Sequence, residues 1–294
     1  MLVDWSIWAS VKQANWQDRK FSNQQEQPMP IYDPIHIEYS IETGYVQVNL
    51  DNGSQFPAYM AHPQLAGKYP AISLLHDWWG ITGITRRLAN VFAQSGYYVI
   101  VPDLFDGKVT QNPREAMRLV ESLGEQEGMA RVCAAIDVVE KHNHTNQSSA
   151  VVGLGMGGSF AYDVALECED VEAAISCGGF PQRNMERFHL CKTPVMALYG
   201  KSDPYIDEKT IQRLGTELME SPGKEEHRVK LVQGLAHEFY PENPTDVQRE
   251  ASRLALREIM TFITKHLTPP KTTLRLTQKG RSSGSQKRPS NEVY

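Results

Sequence analysis

Cysteine is scarce in this chain: Cys133, Cys168, Cys177 and Cys191 are the only four in 294 residues, with no CxxC pair and no metal-ligand spacing. That density is too low for a disulfide scaffold, so reduced thiols in a cytoplasmic protein are expected. Long apolar runs are missing as well. No segment approaches the roughly 18 consecutive apolar residues of a membrane-spanning helix. The opening stretch MLVDWSIWASVKQANWQDRK has neither a basic n-region nor an unbroken apolar h-region. Neither secretion nor membrane insertion is therefore expected. A formal net charge of -5 supplies no global basic field for nucleic acid. No repeat at a fixed period is visible, which excludes a solenoid, and no cofactor or metal is expected.

What is present is an alternation. Residues 1 to 34 are polar and Gln/Asn-rich and end in a proline-bearing stretch, Pro28 to Pro34, which reads as an N-terminal arm. From Ile35 the pattern is extended: IHIEYSI, GYVQVNL, a turn at Asp51-Asn52-Gly53, then QFPAYMA, the antiparallel start of a sheet. After Tyr69 short apolar runs (AISLL, YYVIV, AVVGL, EAAISC, PVMALYG) alternate with helical periodicity, closing on a helix from about Thr245 to His266. Continuous apolar strands separated by helices predict a mostly parallel, doubly wound α/β sheet covered on both faces, in one domain over residues 35–267. Residues 268–294 hold six Lys or Arg against Glu292, a local charge of +5. Their Gly, Ser and Pro content predicts a disordered basic tail, either simply solvated or attached to an anionic partner.

The segment Ala150 to Ser159, AVVGLGMGGS, is a strand, a tight glycine-rich turn and a helix start. Two readings compete. GLGMGG satisfies the letters of a dinucleotide fingerprint, but no acidic residue ends a strand about 20 residues on: EAAISC ends in Cys177. Alternatively the turn is the elbow on which a hydrolase mounts its nucleophile, where small flanking residues let a sharp turn pack against sheet and helix. Two later segments favour the elbow. Asp203 follows the strand PVMALYG in GKSDP, and His237 follows RVKLVQG in GLAHEF, so both lie at strand ends in the order elbow, acid, histidine.

With LLHDWWGIT, GYYVIVPDLF, GLGMGG, YGKSDPYI and GLAHEFY in place, the chain from Tyr39 to Leu267 resembles the dienelactone hydrolase family of the α/β-hydrolase superfamily. In that family a Cys, sometimes a Ser, attacks an ester or lactone carbonyl while a histidine carries the proton and an aspartate orients it. The resemblance implies His237 as base, Asp203 as its acid, and the backbone N–H groups of Trp78 and Met156 as oxyanion donors. Asp77 matches a family acid that is usually Glu, and Asp77 and Trp79 are expected at the substrate. The departures matter more. Gly155 stands at the nucleophile position, vacant of a side chain, and the family's carboxylate-binding arginines are not evident after Leu104 or His237.

Loss of a triad nucleophile costs on the order of 10⁶ in kcat. Whether this chain is an enzyme is left open, and three functions follow. One is a degenerate hydrolase that binds a small ester, lactone or related ligand. Another is a slow hydrolase in which His237 activates water in the space at Gly155. The third is a scaffold whose basic tail engages anionic partners. Cys177 is the nearest substitute nucleophile by topology, and Ser159 is expected to pack in the first turn of its helix.

Overall fold

A computed structural model describes residues 39–168 and 170–272. Eight of the sheet's nine described strands form its main path: β1 (Ile41–Asn49), β2 (Gln55–Pro63), β3 (Gly67–Leu75), β4 (Tyr98–Pro102), β5 (Thr145–Leu154), β6 (Ala173–Cys177), β7 (Val195–Gly200) and β8 (Arg228–Val232). Their spatial order is β1-β2-β4-β3-β5-β6-β7-β8. The first two form an antiparallel hairpin, with Tyr45 opposite Tyr59, and β2 runs antiparallel to β4. From β4 to β8 every pair is parallel.

The burial of each strand follows its place. β4, β6 and β7 are buried along their whole length, as expected of strands covered on both faces. β8, at one edge, is half-buried or exposed throughout, and most of β1 at the other edge is likewise open.

Helices α1 (Gly83–Gln94), α2 (Pro113–Leu123), α3 (Glu125–Glu140), α4 (Met156–Glu167), α5 (Glu208–Glu220) and α6 (Asp246–His266) cover the two faces. On one face Leu88 and Phe92 of α1 and Leu256, Ile259 and Ile263 of α6 pack on Ile72, Val152 and Ile175. On the other, Val132 of α3, Phe160 and Val164 of α4 and Leu214 of α5 pack on Val151, Ala174 and Ala197. Alternate residues of a strand face opposite layers, so Val151 and Val152 serve different cores. Each fully buried aliphatic side chain contributes about 1.5–3 kcal/mol. α6 begins where its sequence says it should. The Thr245 hydroxyl accepts from the Gln248 N–H at 3.2 Å and the Gln248 side chain accepts from the Thr245 N–H at 2.9 Å, a reciprocal cap.

One boundary is corrected. Lys271–Thr272, inside the segment expected to be a tail from residue 268, form a short strand, β9, that pairs antiparallel with Lys68 and Gly67 of β3. The arm expected over 1–34 and the tail after 272 lie outside the described residues. Among the described residues no helix is long and apolar enough to cross a membrane, and no group of three or more His, Cys, Asp or Glu is placed to hold a metal ion.

Candidate active site

The glycines of GLGMGG are explained by close approach of backbones. β5 stops at Leu154, Gly155 takes φ +50° and ψ -111°, and α4 starts at Met156. This is a region that L residues enter only with strain, and glycine enters it freely. A Cβ on Gly157 would fall 2.3 Å from the Leu75 carbonyl oxygen, and one on Gly153 would fall 2.1 Å from the Gly157 carbonyl oxygen. The N-terminus of α4 is thus pressed against the ends of β3 and β5 with no room for side chains. The Gly155 N–H donates to the Cys177 carbonyl at 2.8 Å and pins the turn to β6.

Asp203 and His237 meet at the same end of the sheet. Asp203 follows β7, and its side chain is almost wholly buried; Oδ1 accepts from the Tyr205 N–H at 2.8 Å and the Ile206 N–H at 3.3 Å. Oδ2 lies 2.9 Å from His237 Nδ1 and accepts the Nδ1–H, which leaves Nε2 directed elsewhere. The histidine loop is held against β7, since the Ser202 N–H donates to the Leu235 carbonyl at 3.2 Å. A Cβ on Gly200 would sit 2.0 Å from the Ala236 oxygen. Tyr205 and Phe180 pack on the imidazole with ring centroids 5.0 and 5.4 Å away.

The two N–H groups named as oxyanion donors do converge, but on a protein atom. Asp77 Oδ1 accepts from the Trp78 N–H at 2.7 Å and from the Met156 N–H at 3.0 Å. A Cβ built on Gly155 would lie 2.2 Å from Oδ1, 2.4 Å from Cγ and 2.7 Å from Oδ2 of Asp77. The Asp77 carboxylate therefore occupies the volume of a side chain at position 155 and both donors beside it. Asp77, expected at the substrate, lies between the elbow and the early loop with Oδ1 on these two N–H groups.

The electrostatics follow from this crowding. Burial pushes the Asp77 carboxyl up, and the charge of His237 with the Met156 and Trp78 N–H groups offsets only part of that rise. Burial alone would push His237 down, but its hydrogen bond to Asp203 and the charges of Asp203 and Asp77 raise it. The imidazole thus feels three carboxylates, Asp203, Asp77 and Glu238, and as whole residues both Asp77 and His237 are half-buried.

A buried neighbour that the sequence reading passed over orients the early loop. His76, fully buried, donates from Nδ1 to the Asp77 carbonyl at 2.7 Å, while its Nε2 accepts from the Leu104 N–H at 3.0 Å. Burial lowers its pKa and keeps it neutral, as this donor–acceptor pattern requires. Asp103 clamps the following turn through the Phe105 N–H at 2.9 Å and the Gly107 N–H at 2.8 Å. The adjacent letters His76-Asp77 at a strand end were the available signal. Trp78 is buried and its ring packs 4.8 Å from that of Trp79, which is half-buried.

The substitute nucleophiles fare differently from their topology. Cys177 ends β6 at the site but is 1% exposed and faces the apolar core shared with α1 and α6, and burial pushes its thiol up to about 12. Such a thiol is inert at neutral pH. Ser159 packs as expected, its hydroxyl accepting from the Phe180 N–H at 2.9 Å. Cys133 and Cys168, far apart in sequence, bring their sulfurs to 3.9 Å.

The sequence model of the Dienelactone hydrolase family matches residues 56–267. Among curated proteins, the putative carboxymethylenebutenolidase of Aquifex aeolicus (strain VF5) is 25% identical over 232 residues, covering 72% of this chain and 96% of that protein. The carboxymethylenebutenolidase of Rhodococcus opacus is 25% identical over 252 residues, covering 80% and 94%. Among solved structures, a putative dienelactone hydrolase from Klebsiella pneumoniae subsp. pneumoniae MGH 78578 superposes with a TM-score of 0.66 at 19% identity, over 77% of this chain and 99% of that one. The chain belongs to the dienelactone hydrolase family and has the α/β-hydrolase fold.

Proposed function

We propose that this protein retains the small-molecule site of its family, binds a small ester, lactone or related neutral ligand there, and does not hydrolyse esters through an acyl-enzyme at the elbow. The observation that carries this reading is the Asp77 carboxylate, 2.7 and 3.0 Å from the Trp78 and Met156 N–H groups, in the space beside Gly155. An ester carbonyl oxygen developing negative charge needs those same two donors. With Asp77 seated on them, a second anion would meet a like charge at contact distance. Gly155 itself offers no attacking atom.

A second reading, slow hydrolysis by water, is favoured by the intact pair of Asp203 and His237 at 2.9 Å. General-base catalysis of that kind contributes about 10²–10⁴-fold. The experiment is a panel of activated esters with the purified protein and its His237→Ala variant. Binding is followed by fluorescence of Trp78 and Trp79, and product is followed separately. Saturable quenching with product at background in both proteins is expected. Turnover that disappears in His237→Ala supports the water mechanism instead, and the absence of any saturable quenching refutes the binding reading.

A further inference from the structure

We propose that Asp77 is itself a nucleophile, toward saturated carbon that carries a good leaving group, with primary haloalkanes as the substrate class. This goes beyond the ester-binding reading and does not depend on it. Asp77 Oδ1 is anchored by the Trp78 and Met156 N–H groups at 2.7 and 3.0 Å, whereas Oδ2 makes no hydrogen bond among the described residues. Asp77 as a whole residue is half-buried. It stands in the volume where a residue 155 side chain would attack. His237, oriented by Asp203 at 2.9 Å, is close enough that its charge and that of Asp77 each act on the other's protonation.

A carboxylate is a poor nucleophile toward an ester, because the product is a more reactive anhydride. Toward saturated carbon it gives a stable ester. Oδ2 donates its electron pair to the carbon, the carbon–halogen bond breaks, and the halide leaves with that bonding pair. Oδ1 then becomes the carbonyl oxygen of an alkyl ester, already seated on two N–H donors. A water molecule attacks Cγ and passes its proton to His237, and the developing oxyanion forms on Oδ1 in the hole. Collapse breaks the bond between Cγ and the alkoxy oxygen, and the His237 proton goes to the departing alkoxide. The net change is haloalkane plus water to alcohol, proton and halide.

The electrostatics suit this order. Alkylation neutralises Asp77 and so removes one of the three carboxylate charges, with Asp203 and Glu238, that raise His237. The imidazole is then freer to lose its proton and serve as base at the step that needs one. Gly155 is required in this arrangement, since any side chain there overlaps the carboxylate.

The test incubates full-length protein with 1-iodobutane and with 1,2-dibromoethane and measures halide release. Release is expected from wild type and from Cys177→Ser, and to fall at least about 10³-fold in Asp77→Asn. In His237→Gln, one halide per protein and a butyl adduct on Asp77 by peptide mass spectrometry are expected. Wild type turned over once in H₂¹⁸O should carry the label in the Asp77 carboxylate, a readout that needs no variant to fold. Halide release equal in wild type and Asp77→Asn overturns the proposal. So does an adduct on another residue, an unlabelled Asp77 after turnover, or no halide from either compound. Ester turnover is scored separately and bears only on the preceding reading.

Discussion

Placing a side chain at Gly155 tests the arrangement most directly, because the geometry sets both its cost and its remedy. In Gly155→Cys the new Cβ would fall 2.2 Å from Asp77 Oδ1, so the carboxylate must leave the hole. It then gives up its bonds from the Trp78 and Met156 N–H groups. Hydrogen bonds to a charged group contribute about 1.5–3 kcal/mol each, so their loss costs about 3–6 kcal/mol. Holding a non-glycine residue at φ +50° adds about 1–3 kcal/mol. The sum, about 4–9 kcal/mol, is comparable with the whole stability of a typical domain.

In Gly155→Cys/Asp77→Ala the overlap is gone and the hydrogen-bond loss is not incurred twice. Urea unfolding of the four proteins in the cycle should therefore give a coupling energy of about 2–3 kcal/mol or more, with the double variant more stable than the sum of the single changes implies. The double variant should also gain p-nitrophenyl acetate hydrolysis that is abolished by His237→Ala, whereas Gly155→Cys alone should show little. Additive single changes, or efficient esterase activity in Gly155→Cys with Asp77 still present, would refute the reasoning.

Other outcomes follow from the same structure. Burial raises the Asp77 carboxyl in the folded protein, so its contribution to stability is present at low pH and is lost as pH rises from about 3.9, the ordinary carboxylate value, through the raised value. Asp77→Asn escapes that loss. Its melting temperature relative to wild type should climb across this window, and a flat difference contradicts the assigned burial. Gly157→Ala should destabilise by at least about 2 kcal/mol, because its Cβ would meet the Leu75 carbonyl at 2.3 Å, backbone that cannot rotate away; calorimetry checks this. Cys177 should resist iodoacetamide at pH 8 in the native protein and react only on unfolding, as a thiol held at about 12 in an apolar core requires. Ile259→Ala, a fully buried position of α6, should cost about 2–5 kcal/mol in urea unfolding and leave any halide release unchanged.

Much of this molecule was legible from local pattern. The parallel sheet follows from short, continuously apolar strands between helical periods, and α6 from the closing helical stretch read over about Thr245 to His266. Gly155, Asp203 and His237 could be put at one end of the sheet because each lies just past the C-terminal end of a strand, and parallel strands share that edge. What the sequence could not convey was position across space. Cys177 looked reachable at a strand end, but alternation along β6 turns its side chain into the core. Lys271 and Thr272 read as tail, yet their backbone completes the edge of β3. Above all, the meaning of Gly155 depends on Asp77, whose carboxylate is bonded to the Met156 N–H across 79 positions of chain. A missing side chain is visible in one dimension. That another residue fills its volume is decided only when β3 and β5 lie side by side and their two ends converge on one pair of N–H groups.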